Sequence, residues 1–125
     1  MRFKKHNITK KLQSTEPKRE KCLLVGVDIK GHPQLLPLTD SMQELRTLAI
    51  SAGATVIGSI YQNLNKPTSS YLGKGKLDQV KTITKEHEIN TIICDDELTP
   101  SQQRNFEKAL EEKTKVIDRT ALILD

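Results

Sequence analysis

Residues 70–77 read SYLGKGKL. Two glycines, Gly73 and Gly75, alternate with two lysines, Lys74 and Lys76, just before an amphipathic run. Free backbone N–H groups at a helix start, with cations beside them, suit an anion such as a phosphate. The same letters also describe a glycine turn that needs positive φ and carries two solvated lysines. The standard phosphate motifs are not met. A Walker loop needs Ser or Thr after its Gly-Lys pair to reach Mg²⁺, and Lys76 is followed by Leu77. The dinucleotide fingerprint needs glycine at the third residue after Gly75, and Asp78 stands there. Anion site and plain turn both stay open.

A second group is acidic. Asp95, Asp96 and Glu97 follow the apolar run Thr91–Cys94. Carboxylates at the carboxyl end of a parallel strand lie where such sheets bind ligands, which makes Asp95 and Asp96 weak candidates for holding Mg²⁺. The plainer reading is acid near the start of the next helix, where it complements the dipole. His6, His32 and His87 are scattered without a nucleophile near them in sequence. No Ser–His–acid set, Cys–His pair or metal-ligand spacing emerges. The residues thus offer anion or nucleic-acid contact, and no catalytic constellation.

The elements that position these groups follow from periodicity. Cys22–Asp28 is a continuous apolar run of the kind found in a strand covered on both faces. Ser41 and Glu44 have the spacing of a capping box, with Met42, Leu45, Leu48, Ala49 and Ala52 at helical intervals and Gly53 as the stop. Thr55–Tyr61 is β-branched and strand-like, with a loop over 62–72. Leu77, Val80, Ile83 and His87 mark one face of a second helix, and Thr91–Cys94 is a third strand. Thr99 as cap, Pro100 at the first helical position and Gln102 as the reciprocal capping residue start a third helix, with Phe106, Ala109 and Leu110 on its inner side. Lys115–Asp118 is a fourth strand. Such alternation predicts an α/β fold, a small parallel sheet of about four strands with helices on both faces; 2-1-3-4 is the expected order, although the sequence does not itself fix it. A chain that stops on ALILD leaves an apolar face without a partner, so its last element is expected to continue.

The charge is uneven. Residues 1–21 hold eight Lys or Arg against two Glu, a net of +6, whereas the remaining 12 basic and 14 acidic residues give −2. The basicity therefore belongs to an arm, read as flexible and solvated, or as a contact for nucleic acid or an anionic surface. Aromatics at 3% and no Trp argue against a stacking platform for single-stranded bases. Cys22 and Cys94 lie in apolar strands and read as buried small hydrophobes in a reducing compartment. No run approaches the roughly 20 apolar residues of a membrane helix. The N-terminus lacks the apolar core of a secretory signal. A transit peptide is the other reading of an arm without acids before Glu16, but the segment is poor in Ser and Arg. The expected setting is cytoplasmic, with no membrane partner.

Three stretches carry a resemblance. They are Ser70–Asp78 (SYLGKGKLD), Asp95–Leu110 (DDELTPSQQRNFEKAL) and Val116–Asp125 (VIDRTALILD). In this order and spacing they closely resemble the N-terminal domain of the HflX family of GTPases, over about Cys22 to the end, so the chain divides into an arm, 1–21, and an HflX-like domain, 22–125. The resemblance implies a domain that precedes a helical hairpin and a Ras-like G domain, in proteins that act on the large ribosomal subunit and, in some members, split stalled ribosomes under stress. It implies GTP and Mg²⁺ for the full-length protein and no cofactor in this chain, which has no Walker motif and is not itself expected to be an enzyme. It also implies that Gly73, Lys74, Gly75, Lys76 and Arg104 contact ribosomal RNA, the cations neutralising phosphates and the glycines permitting close approach. Arg119, beside Asp118, is expected to tie the last strand to the helices that follow. A nucleotide (ATP)-binding domain and a module regulating the G domain in cis remain as alternatives.

Overall fold

The computed structural model describes residues 20–32 and 36–124. Its centre is β1 (Lys21–Ile29), whose residues Cys22–Val27 are all buried. A strand with helices on both sides needs apolar side chains at odd and even positions alike, and this one has them. It pairs in parallel with β2 (Thr55–Leu64) on one side and β3 (Thr91–Cys94) on the other. The last strand, β4 (Lys115–Asp118), joins β3, so the order is β2-β1-β3-β4, the order expected above.

The helices divide between the faces. On one face α1 (Leu38–Ser51) and α4 (Arg119–Leu124) pack Met42, Leu45, Ala49 and Leu122 onto Cys22, Leu24 and Ile93. On the other, α2 (Lys74–His87) and α3 (Pro100–Ala109) bring Val80 and Phe106 against Leu23, Val25, Ile92 and Val116. Close approach of α1 requires Gly26, where a Cβ would stand 2.6 Å from Met42 Sδ.

Helix starts and stops separate the accurate expectations from the others. Thr99 caps α3 as expected: its Oγ1 accepts from Gln102 N–H and its own N–H donates to Gln102 Oε1, each at 3.1 Å. Thr99→Ala should lower stability by about 1 kcal/mol, read as a lower urea midpoint at unchanged slope. Gly53 sits at φ +95 just past α1, with Gly53 N–H on Ile50 O and Ala54 N–H on Ala49 O, the six-residue closure that favours glycine.

Four expectations are corrected. Ser41 is not the cap of α1: the helix begins at Leu38 after Pro37, without a side-chain cap. The extra turn packs Leu38 on the core, and the Ser41 and Glu44 side chains serve tertiary contacts instead. Secondly, β2 runs on to Leu64 through residues expected to be loop, because its backbone continues the ladder with β1 as far as Ile29. Thirdly, His87 is exposed and Thr84 takes the buried position on α2, since Leu77, Val80 and Thr84 follow the helical spacing better. Fourthly, neither Gly73 nor Gly75 has positive φ. The left-handed residue of that segment is Tyr71, at φ 71. The expected arm, 1–21, lies almost entirely outside the described residues.

Candidate nucleic-acid interface

All four strands are parallel, so their carboxyl ends form one rim, and α2 and α3 both begin there. Gly73 is the N-cap of α2, and Lys74, Gly75 and Lys76 form its first turn. Gly73 N–H donates to Gln62 Oε1 at 2.8 Å, and a Cβ on Gly73 would come within 3.0 Å of the same side chain. Its requirement is thus close approach, not a special φ. Gly75 faces open space.

Lys74 is exposed, and the Lys76 ammonium donates to Gln79 Oε1 at 3.4 Å. Arg104 is exposed on α3 and reaches Ser101 at 3.4 Å. None of the three makes an ion pair among the described residues, whereas Lys81, Lys85 and Lys113 are all drawn to Glu111. Their charges are therefore available to an external anion.

The loop that precedes Lys74 and Lys76 is tied to α3. Gln102 Nε2 donates to Thr68 O at 3.1 Å, and Asn105 Nδ2 to Ser69 O at 2.9 Å. Thr68 Oγ1 closes the turn onto Leu72 O at 2.9 Å. Buried Tyr71 donates its hydroxyl to Asp96 Oδ2 at 2.6 Å. This bond helps to hold Tyr71 in its left-handed conformation, which costs a non-glycine residue about 1–3 kcal/mol. Two hydrogen bonds thus join α3, which bears Arg104, to the loop that leads into Lys74 and Lys76.

The acidic group has a different role. Asp95 is buried, accepting from Ser41 Oγ at 2.6 Å and from Arg119 Nη2 at 2.8 Å. Arg119 also bonds Glu44 Oε1 at 2.5 Å and Ser41 O at 2.9 Å. Burial works against the Arg119 charge, but its bonds to Asp95 and Glu44 prevail and raise its pKa. Burial likewise raises the carboxyl of Asp96, partly offset by the Tyr71 hydroxyl. Asp95 and Asp96 are therefore spent on partners within the fold. Among the described residues no group of three or more His, Cys, Asp or Glu could hold a metal ion. The sequence carries no Walker motif. Sequence reasoning missed Tyr71, and it directed Arg119 toward helices beyond the chain; a buried acid just past a strand is the signal that could have suggested a cation reaching back.

The thiols are not nucleophiles. Both cysteines are free and buried. Burial pushes Cys22 up to about 11 and raises Cys94 as well, which leaves them protonated at neutral pH. No helix among the described residues is long and apolar enough to cross a membrane.

The comparisons with known proteins bear on the family and the fold. Residues 39–125 match the family model described as GTP-binding GTPase N-terminal. The chain is 45% identical over 113 residues to the GTPase HflX of Lacrimispora saccharolytica, covering 85% of this chain and 24% of that protein. It is 37% identical over 107 residues to the GTPase HflX of Flavobacterium psychrophilum, covering 85% and 25%. It spans about a quarter of the length of these relatives. Among solved structures, a GTP-binding protein from Sulfolobus solfataricus in complex with GDP is similar over 83% of this chain and 29% of its own, at TM-score 0.61 and 25% identity.

Proposed function

The chain belongs to the GTP-binding GTPase N-terminal family, as an HflX N-terminal domain, and from that premise we propose that it docks such a GTPase on the RNA of the large ribosomal subunit. The observation that carries the reading is a set of cations without an ion pair among the described residues: Lys74 and Lys76 at the start of α2, and Arg104 on α3, which is bonded to the loop before α2. Lys and Arg neutralise phosphates and set register without reading sequence. Gly75, open to space beside the first-turn N–H groups, lets a backbone phosphate approach. In this reading residues 22–125 are the docking domain, residues 1–21 add long-range attraction, and the longer protein works in the cytoplasm. GTP and Mg²⁺ belong to the G domain, as does hydrolysis, and a helical hairpin links the two. Ribosome splitting or rescue under stress is the activity that such docking would serve.

The test is co-sedimentation with purified large subunits over rising salt. Three forms are compared: the full chain, the chain from Glu20 onward, and Lys74→Glu/Lys76→Glu. Truncation stops before Glu20 because its carbonyl accepts from Thr55 N–H at the start of the sheet. The doubly reversed form should bind more weakly and flatten the slope of log affinity against log salt by about 2. Equal binding throughout the series would remove both lysines from the interface.

A further inference from the structure

The two edges of the sheet are finished differently. β4 is short, and α3 covers its outer side: Gln103 Nε2 donates to Val116 O at 3.0 Å and Val116 N–H reaches Glu107 Oε2 at 3.4 Å. β2 is ten residues long, and among the described residues nothing pairs with its outer edge. Long edges are ordinarily guarded by charge, proline, brevity or a bulge, because their free N–H and C=O groups invite another strand. β2, TVIGSIYQNL, has no charged residue and no proline. Its bulge lies near the start, between the pairs Cys22–Val56 and Leu23–Gly58, and leaves Gly58–Leu64 regular. Tyr61, at the centre of that regular stretch, is 43% exposed.

From this edge we infer that β2 pairs with β2 of a second copy of the chain, antiparallel about a two-fold axis at Tyr61. The occupant follows from charge and symmetry. An uncharged strand meets its own copy without like-charge repulsion, and an isologous contact needs one self-complementary patch. An axis at Tyr61 sets that ring against its counterpart and Ser59 against Asn63 of the other copy. Both edges then become interior, giving a continuous eight-stranded sheet. The inference does not rest on the ribosomal reading, although Gln62 of the same strand accepts from Gly73 N–H at the start of α2.

Sedimentation velocity of the whole chain, from roughly 1 μM to 1 mM, tests this. The expected result is a reversible dimer, with amide exchange in Gly58–Leu64 slowing as concentration rises. Tyr61→Lys puts two ammonium groups on the axis and should weaken the dimer at least about tenfold. Ser59→Lys, at another exposed position, should weaken it as well, and circular dichroism checks that each variant stays folded. Leu124→Lys, at the exposed end of α4, should leave the dimer intact. A chain monomeric throughout the range, or a dimer that survives both β2 substitutions and fails with Leu124→Lys, would overturn the inference.

Discussion

Replacing Arg119 by alanine is expected to destabilise the fold by about 3–5 kcal/mol, a large share of the about 5–15 kcal/mol that holds a domain together. The reason is the charge left behind. Asp95 has a side chain 4% exposed and keeps only the Ser41 hydroxyl once the guanidinium is gone. Unpairing a buried charge costs far more than forming the pair yields. Glu44, on the outer side of the same guanidinium, is 58% exposed, and Glu44→Ala should cost under about 1 kcal/mol. Urea unfolding of both variants measures the contrast. The double variant Arg119→Met/Asp95→Asn should recover much of the loss, because no buried charge then lacks a partner. If Arg119→Ala and Glu44→Ala prove alike, the buried Asp95 does not depend on the guanidinium.

The second large effect is expected at Phe106. Its ring is fully buried, in one cluster with Leu98, Leu110 and Val116. Phe106→Ala should cost about 3–5 kcal/mol, from lost transfer energy and the cavity left behind. The consequence reaches the candidate interface, because α3 also carries Gln102 and Asn105, which hold the loop before Lys74. Amide exchange over residues 66–73 should therefore accelerate more than exchange in α1, on the opposite face. Uniform acceleration would mean that the loop opens only with the whole domain.

The paired carboxyl of Asp96 gives a smaller, pH-dependent effect. Its pKa is raised on folding, so the folded state holds its proton more tightly than the unfolded one. Asp96 therefore subtracts no stability below the unfolded value, about 4, and subtracts progressively as pH rises through the raised folded value. Asp96→Asn keeps an acceptor for Tyr71 and should remove that decline, so thermal melts of the two forms should diverge between mildly acidic and neutral pH.

The amino-acid sequence by itself determined the alternation of strands and helices, the parallel sheet, and the cap at Thr99 with the stop at Gly53. These are local or periodic matters. A run such as Cys22–Val27 is apolar at every position because both faces must be covered, and that is legible without knowing what covers them. The stretches around Lys74, Arg104 and Arg119 also sufficed for the family, since their order and spacing are properties of the chain.

What the tertiary structure decided were the partners across the fold. Ser41 and Glu44 spell a capping box locally, yet lie within α1 and turn to Asp95 and Arg119, more than fifty residues away in the chain. Asp95 and Asp96 resemble metal ligands until Arg119 and Tyr71 are seen to engage them. Tyr71, not a glycine, takes the positive φ before α2, since its hydroxyl finds Asp96 and its ring finds the core. A side chain's choice among polar partners depends on which groups the sheet brings to its carboxyl rim, and that choice is made only when the strands assemble. The same holds for the two edges: which strand is guarded and which is bare follows from where α3 lies, not from any local pattern.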